Sequence, residues 1–532
     1  MPSDFAYEEP SIPALLIFST YIWLLNLARW IVQRYTGAGL LGEIAIGMVF
    51  GSPLAEWLQI DWQDTMVIVG YIGLLAIVLE GGITTSLPLL VPLIPISFAI
   101  AVTGVVVTFG LSFILMPAFS FAPLAAFATG SAMSSTSLGT TLAVLAGTKG
   151  IGFDLRQTKV GVALVGAAVA DDVSAFVFSE IIKIVGEGSG GIGGKIGRTV
   201  GVTLGLGGVL IPLSIWVFRP LIASRWALRQ LDKTGQLGSI IIVLFTAVGM
   251  VAAAGYAGTS PLYGIYVGGL ILSYISEHDP RDNPESDLEI DPLPRMITYA
   301  TTNTAGPLID SPALARTMSR ASPNLYRAQT HPGHPVTGGY HFASLPAPNR
   351  ARSRAESPNA NHPFDFAGAY NVFLFPIVEY ILLPIFFGSI GYSIPFVRLW
   401  RGEIIWKGII YFILMLISKM ACGLWMFWPS KSRGGMLAQE KGLPVTENEL
   451  RGEWGWRDRV PAVLFLGSAM VARGEIGLLI SQIARHTNTP LITEDEFLIA
   501  IWAIVLNTIV GPVAVSATLN RFKLKVVAGG WE

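Results

Sequence analysis

The sequence predicts an all-helical membrane protein that crosses the bilayer about thirteen times. Hydrophobic residues make up 52% of the 532-residue chain and charged residues only 13%, whereas a soluble domain carries roughly 25% charged residues. Apolar runs of about 20 residues, long enough to cross a bilayer as helices, recur along almost the whole chain. Membrane β-barrels show alternating segments of about ten residues instead.

The apolar runs divide the chain into predicted spans that are separated by polar or glycine-rich segments. The spans are Ser11–Gln33, Gly39–Leu58, Asp64–Leu87, Val91–Phe119, Pro123–Gly147, Thr158–Val185, Thr199–Arg219, Leu237–Tyr256, Ser260–Ser276, Tyr370–Ile390, Glu403–Trp428, Val460–Arg485 and Glu496–Ala517. Residues 1–276 therefore form a first membrane part with nine spans, and residues 370–532 form a second part with four. Residues 277–369 are rich in Pro, Ser, Asn and Arg without helical periodicity, which predicts a disordered cytoplasmic loop.

The short loops predict the orientation of the chain. Loops after spans one, five, seven, eleven and thirteen carry Lys and Arg, and all five fall on one side of the membrane. The positive-inside rule makes that side cytoplasmic, which places the N-terminus outside and the C-terminus in the cytoplasm. Arg398 and Arg401, after span ten, are the exception. Met1–Pro10 is acidic, so no cleavable signal peptide is predicted, and both the plasma membrane and an endomembrane fit.

Spans five and twelve share the tetrapeptide Gly-Ser-Ala-Met and are both interrupted by small residues. Alignment on the tetrapeptide pairs Thr136 with Arg473. The next position pairs Ser137 with Gly474. Spans four to six and eleven to thirteen are equivalent triplets that run in opposite directions, because they lie seven spans apart. Opposed repeats with interrupted helices are typical of secondary transporters that bind substrate near the midplane; ordinary packing of small residues is the alternative.

Two adjacent carboxylates, Asp171 and Asp172, lie near the middle of span six. An Asp at the centre of a membrane helix costs about 2.5–3.5 kcal/mol on insertion scales. Neighbouring helical side chains point about 100° apart, so one carboxylate can face a cation pathway while the other takes a fixed partner. Lys419 in span eleven and Arg473 in span twelve are the candidate partners. A structural ion pair alone leaves one carboxylate without a role, which favours a functional site.

Several motifs together resemble the monovalent cation:proton antiporter superfamily, which includes the sodium/hydrogen exchanger family, in its electrogenic bacterial-type branch. The residues that carry the resemblance are Gly39–Pro53 with Gly-Glu-Ile, Ile77–Gly82 with Glu80, the Asp171-Asp172 doublet, Leu383–Gly391, Lys419, and Arg473-Gly-Glu475. The doublet combined with Lys419 is specific, whereas the glycine motifs alone are weak. The match covers most of the membrane part, and residues 277–369 depart from the compact bacterial members.

The resemblance implies an Na⁺/H⁺ antiporter-like fold and a secondary active antiporter that exchanges protons for Na⁺, Li⁺ or K⁺ by alternating access. It implies that Asp172 binds the transported metal cation or the proton and that Asp171 pairs with Lys419. It also implies that Thr136 and Ser137 border the site and that Arg473 and Glu475 support the broken helix. The electroneutral branch has Asn-Asp at the doublet, so Asp-Asp implies electrogenic exchange. A homodimer in the lipid bilayer is also implied.

Several alternatives stay open from the sequence. A K⁺/H⁺ exchanger of an endomembrane fits the same motifs, because selectivity depends on cavity size. A cation channel or an ion sensor is less favoured, since channels usually arrange rings around an axis of several subunits. An intramembrane aspartyl protease needs two Asp that converge on one water, whereas adjacent helical Asp diverge. We predict no enzymatic activity, no cofactor and no nucleic-acid partner, and the single Cys422 excludes an internal disulfide.

Overall fold

Every regular element in the described part of the chain is helical. The structure is a computed structural model and describes residues 9–36, 38–85, 87–137, 159–188, 191–218, 220, 234–277, 365–427, 456–522 and 526. The predicted all-helical fold class is confirmed. Residues 278–364 lie outside the described residues, so the interpretation of this segment as a disordered loop stays a prediction. The predicted boundary at residue 369 differs from the structure, because residues 366–369 already belong to the helix Phe366–Phe373.

The helices follow the order of the predicted spans. They are α1 (Ile12–Thr36), α2 (Leu40–Phe50), α3 (Ile60–Ile83), α4 (Val91–Phe119), α5 (Pro123–Ser134), α6 (Lys159–Gly186), α7 (Ile192–Leu213), α8 (Gln236–Ala257), α9 (Pro261–Glu277), α10 (Phe366–Phe373 and Phe375–Gly391), α11 (Gly402–Phe427), α12 (Trp456–Val471 and Glu475–His486) and α13 (Glu494–Phe522). Among the described residues, eight helices are long and apolar enough to cross a membrane, and the bent α10 makes up to nine. The count of thirteen spans therefore stays a prediction.

The second span differs from its prediction, because α2 ends at Phe50 rather than near Leu58. Pro53 has no backbone N–H and disfavours a helical conformation at the residue before it, so the helix cannot run on through this stretch. Residues 51–59 turn back instead, and α3 begins at Ile60. A helix of 11 residues is about 16 Å long, about half the thickness of the hydrocarbon core.

Glycines let α2 and α10 cross at close range. A methyl group at Gly47 on α2 would overlap the carbonyl of Gly388 on α10, and one at Gly391 would overlap the carbonyl of Ile44. A residue without a side chain is therefore required on both helices. The glycine motifs that the sequence shows near Gly39–Pro53 and Leu383–Gly391 thus belong to one helix contact.

Helix α10 is bent by 46° between its two pieces. Pro376 lies in the first turn of the second piece, and a proline at such a break is a usual cause of a kink. A turn of π-helix, Val378–Leu382, follows, and Pro384 is the second residue after it. These departures leave carbonyls of α10 without the donors that a regular helix supplies.

Helix α1 supplies donors to the irregular part of α10. Pro384 cannot donate to the carbonyl of Tyr380 four residues earlier, and Asn26 Nδ2 donates to that carbonyl at 2.9 Å. One turn further along α1, Arg29 Nη1 donates to the carbonyl of Glu379 at 2.7 Å. Because lipid offers such groups no hydrogen bonds, these contacts stabilise the kink.

The two predicted triplets, α4–α6 and α11–α13, form one packed group. Helix α4 packs against α6 and α11, α11 packs against α13, and the second piece of α12 packs against α5 and α6. One cluster of buried hydrophobic residues draws on α4, α6, α11, α12 and α13; its members include Ile100, Leu164, Met426, Phe465 and Val515. This group places the breaks in α5 and α12 next to each other.

Candidate functional site

Two helices of the packed group break near its centre. Helix α5 ends at Ser134, and residues 135–137 are not helical. Helix α12 is interrupted at residues 472–474. Both breaks follow the repeated Gly-Ser-Ala-Met, and the predicted pair of broken, crossing helices is confirmed. The continuation of span five, residues 138–158, lies outside the described residues.

The two breaks are hydrogen-bonded to each other. The N–H of Ser137 donates to the carbonyl of Ala472 at 3.0 Å. In the other direction, Arg473 Nη1 donates to the carbonyl of Ser135 at 2.7 Å. Unwound backbone at membrane depth is tolerated only where protein or water satisfies it, and here each break supplies donors to, or acceptors for, the other.

Glycines on α12 leave the room that the crossing needs. A methyl group at Gly474 would lie 2.6 Å from both Cβ and Oγ of Ser137. Three residues later, a methyl group at Gly477 would lie 2.6 Å from the carbonyl oxygen of Ala132. Ser137 and Gly474, which the sequence alignment pairs with each other, are therefore direct neighbours in the structure.

Asp171, on α6, is fully buried beside the crossing. Its Oδ2 accepts hydrogen bonds from Thr136 Oγ1 at 2.7 Å and from Lys419 Nζ at 2.5 Å. The ammonium of Lys419 also donates to the carbonyl of Ser134 at 2.6 Å. Hydrogen bonds of this kind compensate two charges that are removed from water. The structure thus brings Asp171, Thr136 and Lys419 together, and the ion pair joins α6 and α11 to the end of α5.

Asp172 has different surroundings from its neighbour. It is 7% exposed, whereas Asp171 is 0% exposed. The rotation of about 100° per helical residue points the second carboxylate away from the direction in which Asp171 meets Lys419. The two acidic side chains are therefore not equivalent, although the assignment of cation and proton binding to Asp172 stays a prediction.

Arg473 is fully buried at the break in α12. Its backbone carbonyl accepts a hydrogen bond from Thr508 Oγ1 on α13 at 2.8 Å, while its guanidinium reaches Ser135 as described. The residue therefore connects α12 to both α5 and α13, which is the geometry that support of a broken helix requires. Glu475 begins the second piece of α12, but its side chain lies outside the described residues.

Two residues that shape this region were not predicted from the sequence. Thr508 supports the break in α12, and the polar pair Asn507-Thr508 within apolar span thirteen is the signal that marks it. Gly104 on α4 leaves space for the ammonium, because a methyl group there would lie 3.0 Å from Lys419 Nζ. Nothing in the sequence separates this glycine from the many others in the spans.

The family comparison decides what kind of protein carries this arrangement. Residues 22–294 and 360–521 match the family model described as sodium/hydrogen exchanger, transmembrane, which is most of the chain. The chain belongs to the sodium/hydrogen exchanger family. It is a multi-pass integral membrane protein of that family, as the motifs around the Asp-Asp doublet predict, and the family is one of transporters.

Individual similar proteins agree with the family. Over 250 residues the chain is 26% identical to the high-affinity Na⁺/H⁺ antiporter NhaS3 of Synechocystis sp., an alignment that covers 46% of this chain and about half, 51%, of that protein. The structure is similar to that of the sodium proton antiporter MjNhaP1 from Methanocaldococcus jannaschii at pH 8, with a TM-score of 0.55 and 13% identity over 97% of this chain and 100% of the other. The second similarity confirms the predicted antiporter-like fold.

Proposed function

We propose that the protein is a secondary active antiporter that exchanges protons for a monovalent cation across its membrane. The observation that carries this proposal is the buried Asp171–Lys419 ion pair at the crossing of two broken helices, with a second carboxylate on the next residue. Membership of the sodium/hydrogen exchanger family supports the same activity. The proposed cation is Na⁺ or Li⁺, with K⁺ as the alternative.

Asp172 is the proposed binding group for both substrates. Carboxylate oxygens suit hard cations such as Na⁺, and a carboxyl group that holds a proton cannot coordinate a cation in the same way. Competition between proton and cation for this group would couple their movements in opposite directions. Thr136 and Ser137, at the first break, would form the border of the site.

The movement we propose is alternating access. Loss of the proton from Asp172 adds a negative charge to a buried site, and burial of excess charge is costly. A bound cation or a returning proton removes that charge, so the loaded site can pass through the membrane more readily than the empty one. The group α4–α6 with α11–α13 would then move against the remaining helices, with Arg473 and Glu475 supporting the break in α12.

The Asp-Asp doublet supports an electrogenic exchange, in which the charges of the two substrates do not balance. One net charge moved per cycle is worth about 2.3 kcal/mol per 100 mV of membrane potential, so the potential would drive the exchange. The accompanying proposals are an external N-terminus, a cytoplasmic C-terminus and a homodimer in a plasma membrane or an endomembrane.

Asp172→Asn is expected to abolish the exchange, because an amide cannot take up and release the proton. The full chain is reconstituted into vesicles, and cation-evoked proton flux is recorded with Na⁺, Li⁺ and K⁺ at several pH values. Glu403→Gln is the matched control. Glu403 is exposed and paired with Lys407 at the start of α11, so removal of its charge should leave the flux unchanged. Full exchange by Asp172→Asn would contradict the assignment, and flux that does not saturate would favour a channel.

A further inference from the structure

A second buried carboxylate lies on α2, outside the packed group that holds the ion pair. Glu43 is 0% exposed, and neither of its carboxylate oxygens has a hydrogen-bond partner among the described residues. An ionised carboxylate can only accept hydrogen bonds, and burial without them is unfavourable. The proposed exchange does not use this residue, so its burial requires a separate explanation.

One guanidinium lies between Glu43 and another carboxylate. Arg29 Nη1, on α1, is 3.6 Å from Glu43 Oε1, beyond hydrogen-bond distance. Both terminal nitrogens of the same guanidinium donate to Glu379 on α10. Arg29 Nη2 donates to Glu379 Oε1 at 2.6 Å, and Arg29 Nη1 donates to the backbone carbonyl of Glu379 at 2.7 Å. On α1 and α10, which pack against α2, Tyr21 is the further titratable neighbour, and its hydroxyl is hydrogen-bonded to that of Tyr392 at 2.6 Å.

The charges of this cluster do not balance if both carboxylates are ionised. Arg29 carries one positive charge, and Glu379, whose Oε1 lies 2.6 Å from Arg29 Nη2, is the carboxylate that pairs with it. The excess negative charge then falls on Glu43, the carboxylate that is fully buried and lacks donors. A proton on Glu43 removes the excess. A metal ion would need several oxygen ligands, and the described residues contain no group of three or more Asp, Glu, His or Cys side chains that could hold one.

We propose that Glu43 is a second proton-binding site, which carries its proton for as long as α1, α2 and α10 remain packed together. The site is independent of Asp172, and its proton is not a transported one. Because the folded protein binds more protons at this residue than the unfolded chain does, the stability of the fold should decrease as the pH rises. The proton thus makes the packing of these three helices sensitive to pH.

The test is thermal unfolding of the full chain in detergent from about pH 5 to about pH 9, which spans the range over which an unfolded Glu is ionised. Glu43→Gln replaces the protonated carboxyl by its neutral isostere. As the pH rises, the Tm of the wild type should fall relative to the Tm of this variant. Glu379→Gln is the control at the carboxylate that Arg29 does bind, and it should lower Tm at every pH. Parallel Tm profiles for the wild type and Glu43→Gln would overturn the proposal.

Infrared spectroscopy gives a second readout that needs no transport. The wild type near neutral pH should show the carbonyl band of a protonated carboxylic acid that is missing from Glu43→Gln and weakened in Glu379→Gln, where Arg29 has lost its other carboxylate and can serve Glu43 as counter-ion. A wild-type spectrum without that difference would contradict the proposal. Failure of Glu43→Gln to fold would also contradict it, since Gln is the closest neutral substitute for a protonated Glu. Neither measurement depends on whether the chain exchanges ions.

Discussion

One residue step along α6 separates two carboxylates with different surroundings. Asp171 accepts hydrogen bonds from Thr136 and Lys419 and is sealed from solvent, whereas Asp172 retains a small exposed fraction. The geometry of the helix alone produces this difference, because adjacent side chains diverge by about 100°. A doublet can therefore combine a fixed ion pair with a second acidic group, which a single Asp cannot do.

The ion pair should dominate the local stability. Lys419→Met leaves the charge of Asp171 buried without its counter-ion, and the expected loss is about 3–5 kcal/mol in the free energy of unfolding. Adding Asp171→Asn to that variant should restore much of the loss, because the uncompensated charge disappears. Thermal unfolding of the purified variants measures both effects.

Lys407→Met is the control for Lys419→Met on the same helix. Lys407 pairs with the exposed Glu403, and surface pairs of that kind contribute little to stability because water screens them. A loss for Lys419→Met as small as the loss for Lys407→Met would show that the buried pair does not stabilise the fold.

At the scale of the element, irregular helices are completed by their neighbours. The breaks in α5 and α12 exchange hydrogen bonds with each other, and the kinked α10 receives side-chain donors from α1. In lipid no water replaces a missing partner, so an irregular segment requires a second element that fits it. The position of each irregularity is therefore a property of two helices together.

Gly474→Ala tests this dependence at the crossing. The added methyl group would lie 2.6 Å from Ser137 Cβ, so one of the two breaks must shift, at an expected cost of about 1–3 kcal/mol for overpacking. Exchange should fall together with Tm, and Ser137→Gly in the same chain should recover part of both. Gly205→Ala on α7 is the control, since nothing lies within 4 Å of the added group. Unchanged exchange and Tm in Gly474→Ala would contradict the importance of this close approach.

At the scale of the whole molecule, the repeated pair of helix breaks was predictable from the sequence. The hydrogen-bond partners that complete the two breaks were not. The shared Gly-Ser-Ala-Met and the order of the spans predict two opposed breaks, and Lys419 stands out as a charge within an apolar run. The acceptors of the crossing are backbone carbonyls, among them those of Ser134 and Ala472, and carbonyls carry no sequence signal. The end of α2 at Phe50 was missed because hydropathy continues past the point where Pro53 ends the helix.

Electrogenic exchange is the prediction that involves the whole molecule. If each cycle moves net charge, a membrane potential set by an ionophore should increase the flux in vesicles when it has one sign and decrease the flux when it has the other. In Lys419→Met, normalised for the amount of folded protein, the flux that remains should lose this dependence if a proton taken up and released by the Asp171–Lys419 pair is the additional charge moved in each cycle. A wild-type flux that ignores the potential would show that the exchange is electroneutral.

The contacts between the two triplets join residues that are synthesised far apart in time. Asp171 leaves the ribosome 248 residues before Lys419, and Ser135 leaves it 338 residues before Arg473. At about 5–20 residues per second, the nascent chain holds an acidic group in the membrane for about 12 to 50 s before its counter-ion is synthesised. During that interval the carboxyl group of Asp171 has to be protonated or to stay near water or other protein, because an unpaired ionised carboxylate is costly to bury. The chain is therefore most open to cellular quality control while only its first triplet has been made.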